Sequence, residues 1–140
     1  MNPIRILIVD DSPDYIDSAS RFLSSDPRLQ IVGSVSTGVE ALGKVSELKP
    51  DLVLMDWAMP EMTGPVALRR IKVQSNPPRI IMLTMYDNTE YRDIAQMAYA
   101  DGFVAKSDFG KKLIPLIYNL FDTKPTEASA SLPANDETKT

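Results

Sequence analysis

Residues 50–64 read PDLVLMDWAMPEMTG, and where this stretch breaks decides how the rest of the chain is read. Leu52 to Met55 is a short apolar run that ends abruptly in a carboxylate, Asp56. A loop containing Pro60 follows, and Gly64-Pro65 opens a new helical pattern. An unbroken apolar run bounded by turn signals suits a strand covered on both faces. In open α/β sheets, ligands sit outside the carboxyl ends of the strands, so an acid delivered there is a functional candidate. Taken alone, Asp56 reads equally well as a helix cap or a turn residue.

The flanking sequence repeats the pattern. Ile4 to Val9 (IRILIV) is a second apolar run, interrupted only by Arg5 and stopped by Asp10-Asp11-Ser12-Pro13. Ser followed by Pro marks a helix start. Tyr15, Ile16, Ala19, Phe22 and Leu23 then recur at helical spacing as far as Asp26-Pro27. Gln30 to Val35 reads as a strand, and Val39, Ala41, Leu42, Val45 and Leu48 as a helix ending near Lys49-Pro50. Beyond the central stretch, Gly64-Pro65 starts a helix through about Gln74, and Asn76-Pro77-Pro78 breaks it. Arg79 to Thr84 is a further apolar strand. Asp87 to Thr89 can cap a helix reaching about Tyr99, and the turn Asp101-Gly102 leads into a short strand, Phe103 to Ala105, ending at Lys106. A last helix spans Phe109 to Phe121. Pro115 inside it would remove a backbone hydrogen bond and kink it, unless the helix begins only near Pro115. Its apolar residues, from Leu113 to Phe121, cover more than one core-facing stripe needs. That leaves contact with a partner or a second copy open beside plain burial.

Strands alternating with helices predict an α/β protein of (βα)5 type: a doubly wound, five-stranded parallel sheet between helical layers. Right-handed crossovers and the order 2-1-3-4-5, flavodoxin-like, put the switch point between the first and third strands. Their ends carry Asp10, Asp11 and Asp56. Residues 1–121 form the expected domain. Residues 122–140 (DTKPTEASASLPANDETKT) hold one large apolar residue, Leu132, and read as a disordered polar tail or linker.

Composition narrows the chemistry. The 140 residues carry a net charge of −4, and 44% are apolar. That balance suits a soluble domain and argues against direct nucleic-acid binding, which needs clustered Lys and Arg. There is no Cys and no His, so thiol catalysis, thiolate metal sites and the commonest general base are excluded. A metal would need oxygen ligands, which favours Mg²⁺, Mn²⁺ or Ca²⁺. No signal peptide is evident, and no apolar run approaches the roughly 20 residues that span a bilayer, so a cytoplasmic location without membrane contact is expected. The seven Met residues read as core filler.

Three carboxylates at one sheet edge repel each other, and such a cluster suits a bound cation. Helix capping is the alternative reading of Asp10-Asp11. Thr84 closes the fourth strand and Lys106 the fifth. An ammonium, a hydroxyl and three acids around one cavity can bind and transfer a phosphoryl group, with an Asp as nucleophile.

In these pieces the chain resembles a response-regulator receiver domain, the phospho-acceptor half of two-component signalling. The matching segments are ILIVDDS (Asp10, Asp11), DLVLMDWAMPEMTG (Asp56, Pro60, Gly64), IIMLT (Thr84) and ADGFVAK (Phe103, Lys106). They cover residues 4 to 121, and IVGSVSTGVEAL resembles the receivers that precede helix-turn-helix output domains. The resemblance implies that Asp56 takes a phosphoryl group from a histidine kinase, a phosphotransfer protein or a small phosphodonor. It implies Mg²⁺ (or Mn²⁺) held by Asp11, Asp56 and the backbone carbonyl of Ala58, with Asp10 acting mainly through water. Lys106 would pair with Asp56 and then with a phosphoryl oxygen. Thr84 would move to the phosphoryl group, and Phe103 would turn into the space it leaves. The signal would reach an output protein, or an effector domain outside this sequence, through the face formed by the fourth helix, fifth strand and fifth helix. The same face could join two copies.

Departures from the family pattern carry expectations of their own. Met85 stands where a small residue is usual, which implies narrower access to Asp56. Ala58 and Tyr86 occupy positions that tune the attacking water, and neither can act there as a carboxylate or amide would, so slow self-dephosphorylation is expected. Phe103 cannot hydrogen-bond as Tyr can. Tyr99 stands where Gly is frequent, and Ser107 where Pro is frequent. Trp57 reads as a surface or partner contact, with use as a fluorescence reporter of Mg²⁺ as the alternative. Rival readings are a receiver cut from a larger DNA-binding regulator, a Mg²⁺-dependent phosphatase or hydrolase, and a degenerate receiver that only docks. Ala58 opposes the hydrolase, since the haloacid-dehalogenase pattern wants a second Asp there. The intact Asp10, Asp11, Asp56, Thr84 and Lys106 oppose the degenerate reading.

Overall fold

A computed structural model of the chain describes residues 2–85 and 88–121. The expectations for residues 122–140, for Tyr86 and for a cap at Asp87 lie outside them. The strands are β1 (Ile4–Val9), β2 (Leu29–Val35), β3 (Leu52–Asp56), β4 (Arg79–Thr84) and β5 (Gly102–Ala105). The helices are α1 (Pro13–Ser24), α2 (Gly38–Leu48), α3 (Gly64–Lys72), α4 (Thr89–Met97) and α5 (Phe109–Leu120), with a 3₁₀ turn at Lys106–Asp108. All strand pairs are parallel, in the order β2-β1-β3-β4-β5.

Side chains alternate across the sheet, as a strand period of two requires. Ile6 and Ile8 of β1, Leu52 and Leu54 of β3, and Ile81 and Leu83 of β4 meet Leu23 of α1 and Leu113 and Ile117 of α5. Leu7, Val9, Val53, Met55, Ile80 and Met82 face the other way, onto Ala41 and Val45 of α2, Leu68 and Ile71 of α3, and Ala95 of α4. Burying each large aliphatic side chain stabilises by about 1.5–3 kcal/mol, so both faces of the central strands hold the fold. The unbroken apolar runs of the sequence are thereby explained.

The differences from expectation are local. β2 starts one residue early and carries an irregularity: Ile6 pairs with Ile31 but Leu7 with Gly33, so Val32 is passed over. α3 stops at Lys72 rather than Gln74. α4 is capped by Asn88, whose side chain accepts from the Tyr91 N–H, and it ends at Met97. Tyr99, at φ 73°, takes the left-handed conformation that glycine favours. Pro115 lies inside a helix that runs on from Phe109, so the late start is ruled out. The Met residues divide: Met55, Met59 and Met82 are buried, whereas Met85 and Met97 are exposed and fill no core.

Candidate functional site

Sheet register brings the acids together. Val9 pairs with Met55 across β1 and β3, so the next residues, Asp10 and Asp56, stand side by side at the sheet edge. The Trp57 N–H donates to the Leu83 carbonyl at 2.9 Å, which extends the β3–β4 ladder past Asp56. The loop after Trp57 closes where the Gly64 N–H donates to the Trp57 carbonyl at 2.8 Å. Only glycine fits there, since a Cβ on Gly64 would lie 2.3 Å from the Asp56 carbonyl oxygen.

Asp10 and Asp56 are buried and Asp11 is exposed; one ligand atom from each lies within 4.8 Å of the others. Lys106 reaches both buried acids, with Nζ 2.7 Å from Asp10 Oδ2 and 3.2 Å from Asp56 Oδ1. Asp10 Oδ1 accepts from the Ser12 N–H at 2.8 Å. Ser12 in turn caps α1, its hydroxyl accepting from the Tyr15 N–H. Thr84 is buried at the end of β4, level with Ala105 of β5. Ala58 is exposed in the loop two residues beyond Asp56. The sequence-predicted residues Asp10, Asp11, Asp56, Thr84 and Lys106 thus all come to one end of the sheet. Phe103 lies one strand position into β5 and packs half-buried against the α2–α3–α4 core.

Too little positive charge stands here. Burial and the neighbouring Asp10 carboxylate push the Asp56 carboxyl above its ordinary range, Lys106 offsets this in part, and Asp11 adds to it. Burial alone would lower Lys106, but its hydrogen bond to Asp10 and the charges of Asp56 and Asp10 outweigh that and raise it. The ammonium is held firmly charged.

Tyr15 was not legible as a site residue, and the contacts of Trp57 were not legible either. Tyr15 lays its ring over Lys106, with Nζ 4.2 Å from the centroid. Trp57 is half-buried, stacks on Tyr91 of α4 at 4.7 Å and meets the Phe103 edge at 6.3 Å, while Arg92 covers Phe103. Trp57 is therefore an internal contact between the acid loop and α4, not a plain surface residue. The helical step from the Ser12 cap to Tyr15 was the available signal for the first. Nothing local in the sequence signals the second. Met85 is 72% exposed, so the packing gives no support to a narrowed entrance. A cavity of ≈ 900 Å³ lies at the other end of the sheet, among Pro50, Asp51, Pro77 and Arg79. It holds no acid cluster, and ligands of such sheets bind at the strands' carboxyl ends.

A doubly wound parallel sheet with acids and a lysine at its switch point defines a class of phosphoryl- or metal-handling domains. Comparison with known proteins narrows the class. The family profile of the response regulator receiver domain matches residues 6–117, and the chain belongs to that family of two-component systems. It is 41% identical over 109 residues to a protein-glutamate methylesterase/protein-glutamine glutaminase of Geobacillus kaustophilus, covering 76% of this chain and 31% of that protein. It is 32% identical over 124 residues to the response regulator protein VraR of Staphylococcus saprophyticus, covering 87% of this chain and 58% of that one. The chain thus spans less than two thirds of each. The response regulator domain of Thermotoga maritima CheB matches with TM-score 0.80 and 29% identity, over 89% of this chain and 100% of that one. A LuxR-family response regulator from Aurantimonas matches with TM-score 0.82 and 27% identity, over 93% and 94%. Among the described residues, no helix is long and apolar enough to cross a membrane.

Proposed function

We propose that Asp56 is the phosphoryl acceptor of a receiver unit spanning residues 1–121. The carrying observation is Asp56 itself: buried at the switch point, one oxygen on Lys106, and flanked by two further acids. A carboxylate oxygen of Asp56 forms the new P–O bond as the donor's bond to phosphorus breaks, and the electron pair leaves with the donor. For a phosphohistidine donor the leaving group is the imidazole nitrogen. Lys106 meets negative charge on the transferred group. Thr84 and Phe103 carry the change outward along β4 and β5, shifting the population of packings on the α4–β5–α5 face.

The donor set suits Mg²⁺ or Mn²⁺: hard carboxylate oxygens with more negative charge than Lys106 neutralises. Asp11, Asp56 and the Ala58 carbonyl would hold the ion. Asp10 would act through water, since each of its oxygens already accepts a hydrogen bond. A bound ion would neutralise charge on the phosphoryl oxygens.

The donor is a histidine kinase or phosphotransfer protein. The output is a protein surface, either a separate partner or an effector domain joined to this unit. The second arrangement is favoured by relatives that are longer than this chain and named for a methylesterase or a response regulator.

Intact mass after incubation with acetyl phosphate and Mg²⁺ tests the reading. Wild type gains one phosphoryl group and Asp56→Ala gains none; a gain on both, or on neither, overturns it. With Ala58 beside the site, the phosphoryl group persists well beyond seconds once donor is removed. A half-life of seconds counts against slow self-hydrolysis.

A further inference from the structure

Lysine is a point charge on a flexible four-carbon stem, and little in its own chemistry fixes it. Here three sides of the Lys106 ammonium are filled. Two face Asp10 Oδ2 and Asp56 Oδ1, at 2.7 and 3.2 Å. The Tyr15 ring lies over the ammonium, its centroid 4.2 Å from Nζ. A cation over an aromatic face is attracted by the ring quadrupole, and more strongly where water is excluded. The Lys106 side chain is only 14% exposed.

Tyr15 is itself fixed from two directions. Its backbone N–H donates to Ser12 Oγ at 3.2 Å, and the Ser12 N–H donates to Asp10, so ring and acid share one hydrogen-bonded segment. Its ring meets Phe109 edge-on at 5.6 Å, and Phe109 meets Phe22 at 5.3 Å. Phe109 follows the 3₁₀ turn that begins at Lys106, so the lysine and the support of its aromatic cover lie on one short stretch. The Tyr15 hydroxyl is buried with no hydrogen-bond partner among the described residues. Burial, then the charges of Asp10 and Asp56, hold its proton well above the usual phenol range, so it stays neutral. Its ring, not its hydroxyl, is engaged.

We infer that Tyr15 is a positioning residue for phosphoryl transfer, its ring face holding the Lys106 ammonium against Asp56. The inference rests on Asp56 being the acceptor. Tyr15 does not touch phosphorus, and no bond to it forms or breaks.

The test uses the full chain, with acetyl phosphate and Mg²⁺ as probes and the phosphorylation rate read by intact mass. Tyr15→Phe keeps the ring and loses the idle hydroxyl. Tyr15→Leu removes the ring. Pentafluorophenylalanine at position 15 keeps shape and volume but reverses the quadrupole. The inference expects Tyr15→Phe to match wild type and the other two to fall ~5-fold in maximal rate, with the Mg²⁺ concentration at half-saturation unchanged. A merely structural ring would lower the melting temperature of Tyr15→Leu and leave the fluorinated protein as fast as Tyr15→Phe; that equality overturns the inference, even if Tyr15→Leu does not fold. A Tyr15→Phe protein as slow as the fluorinated one overturns it too, by assigning the work to the hydroxyl. If wild type takes no phosphoryl group on Asp56, the acceptor reading has failed instead.

Discussion

Asp56 is strained electrostatically by the fold itself. Its carboxyl is raised by burial and by Asp10, so the ionised form is less comfortable folded than unfolded. The linkage sign follows. A group raised in the folded state contributes stability below its unfolded value, about 3.9 for Asp, and loses it as pH rises through the folded value. At neutral pH without divalent metal, Asp56→Asn is therefore more stable than wild type, and the difference closes near pH 4. Denaturant titrations at the two pH values measure it; an Asn variant that is equally stable or weaker at pH 7 contradicts it. Gly64 constrains the same place by shape. A Cβ there meets the Asp56 carbonyl oxygen at 2.3 Å and the Met82 methyl at 2.7 Å, and the first of these is backbone that cannot rotate away. Gly64→Ala should cost about 1–3 kcal/mol of stability, as overpacking does, and, on the proposed metal site, should weaken Mg²⁺ binding by displacing the end of β3 at Asp56 and the loop with Ala58. A variant with wild-type denaturation midpoint and Mg²⁺ affinity would show that the loop adjusts freely.

Among the elements, α5 and α4 show what local sequence can and cannot say. The apolar stripe of α5 was legible because Leu113 and Ile117 recur at helical spacing, and both are fully buried. Whether Pro115 begins or interrupts the helix was not, because the cost of a missing N–H depends on the surroundings. Pro115 is exposed, as is Lys111, whose carbonyl loses the i+4 donor, so water can serve it. Pro115→Ala restores the donor and should stabilise by up to ~3 kcal/mol, less whatever the proline removes from unfolded-chain entropy. A lowered denaturation midpoint would mean that α5 needs the proline. For α4 the sequence showed a capped start and an approximate end but not its anchor. The helix itself buries only Ala95, and Trp57 stacks across from the acid loop onto its Tyr91. That stack joins residues on separate elements, which neither periodicity nor spacing can predict. The same holds for Tyr15 over Lys106. Strand-end acids were legible because apolar runs stop there; contacts across elements were not.

At the scale of the whole molecule, topology concentrates charge. The order β2-β1-β3-β4-β5 places the ends of β1 and β3 together and thereby gathers Asp10, Asp11 and Asp56 against one ammonium, Lys106. Two apolar layers, one on each face of the sheet, hold that repulsion in place. A divalent cation bound only by the folded chain must then stabilise it by mass action, by about 2.7 kcal/mol at a hundredfold excess over its dissociation constant. The melting temperature should rise with the logarithm of Mg²⁺ concentration and return on chelation. NaCl at equal ionic strength should give far less, since it screens without coordinating. Asp11 separates coordination from folding. It is exposed and has little packing to lose. Asp11→Asn should leave the metal-free melting temperature nearly unchanged or slightly raised, yet flatten its dependence on Mg²⁺. If NaCl reproduces the Mg²⁺ effect, or the Asp11→Asn slope equals that of wild type, the acids are a charged rim and not a metal site. The fold would stand, but the cation would have to be sought elsewhere.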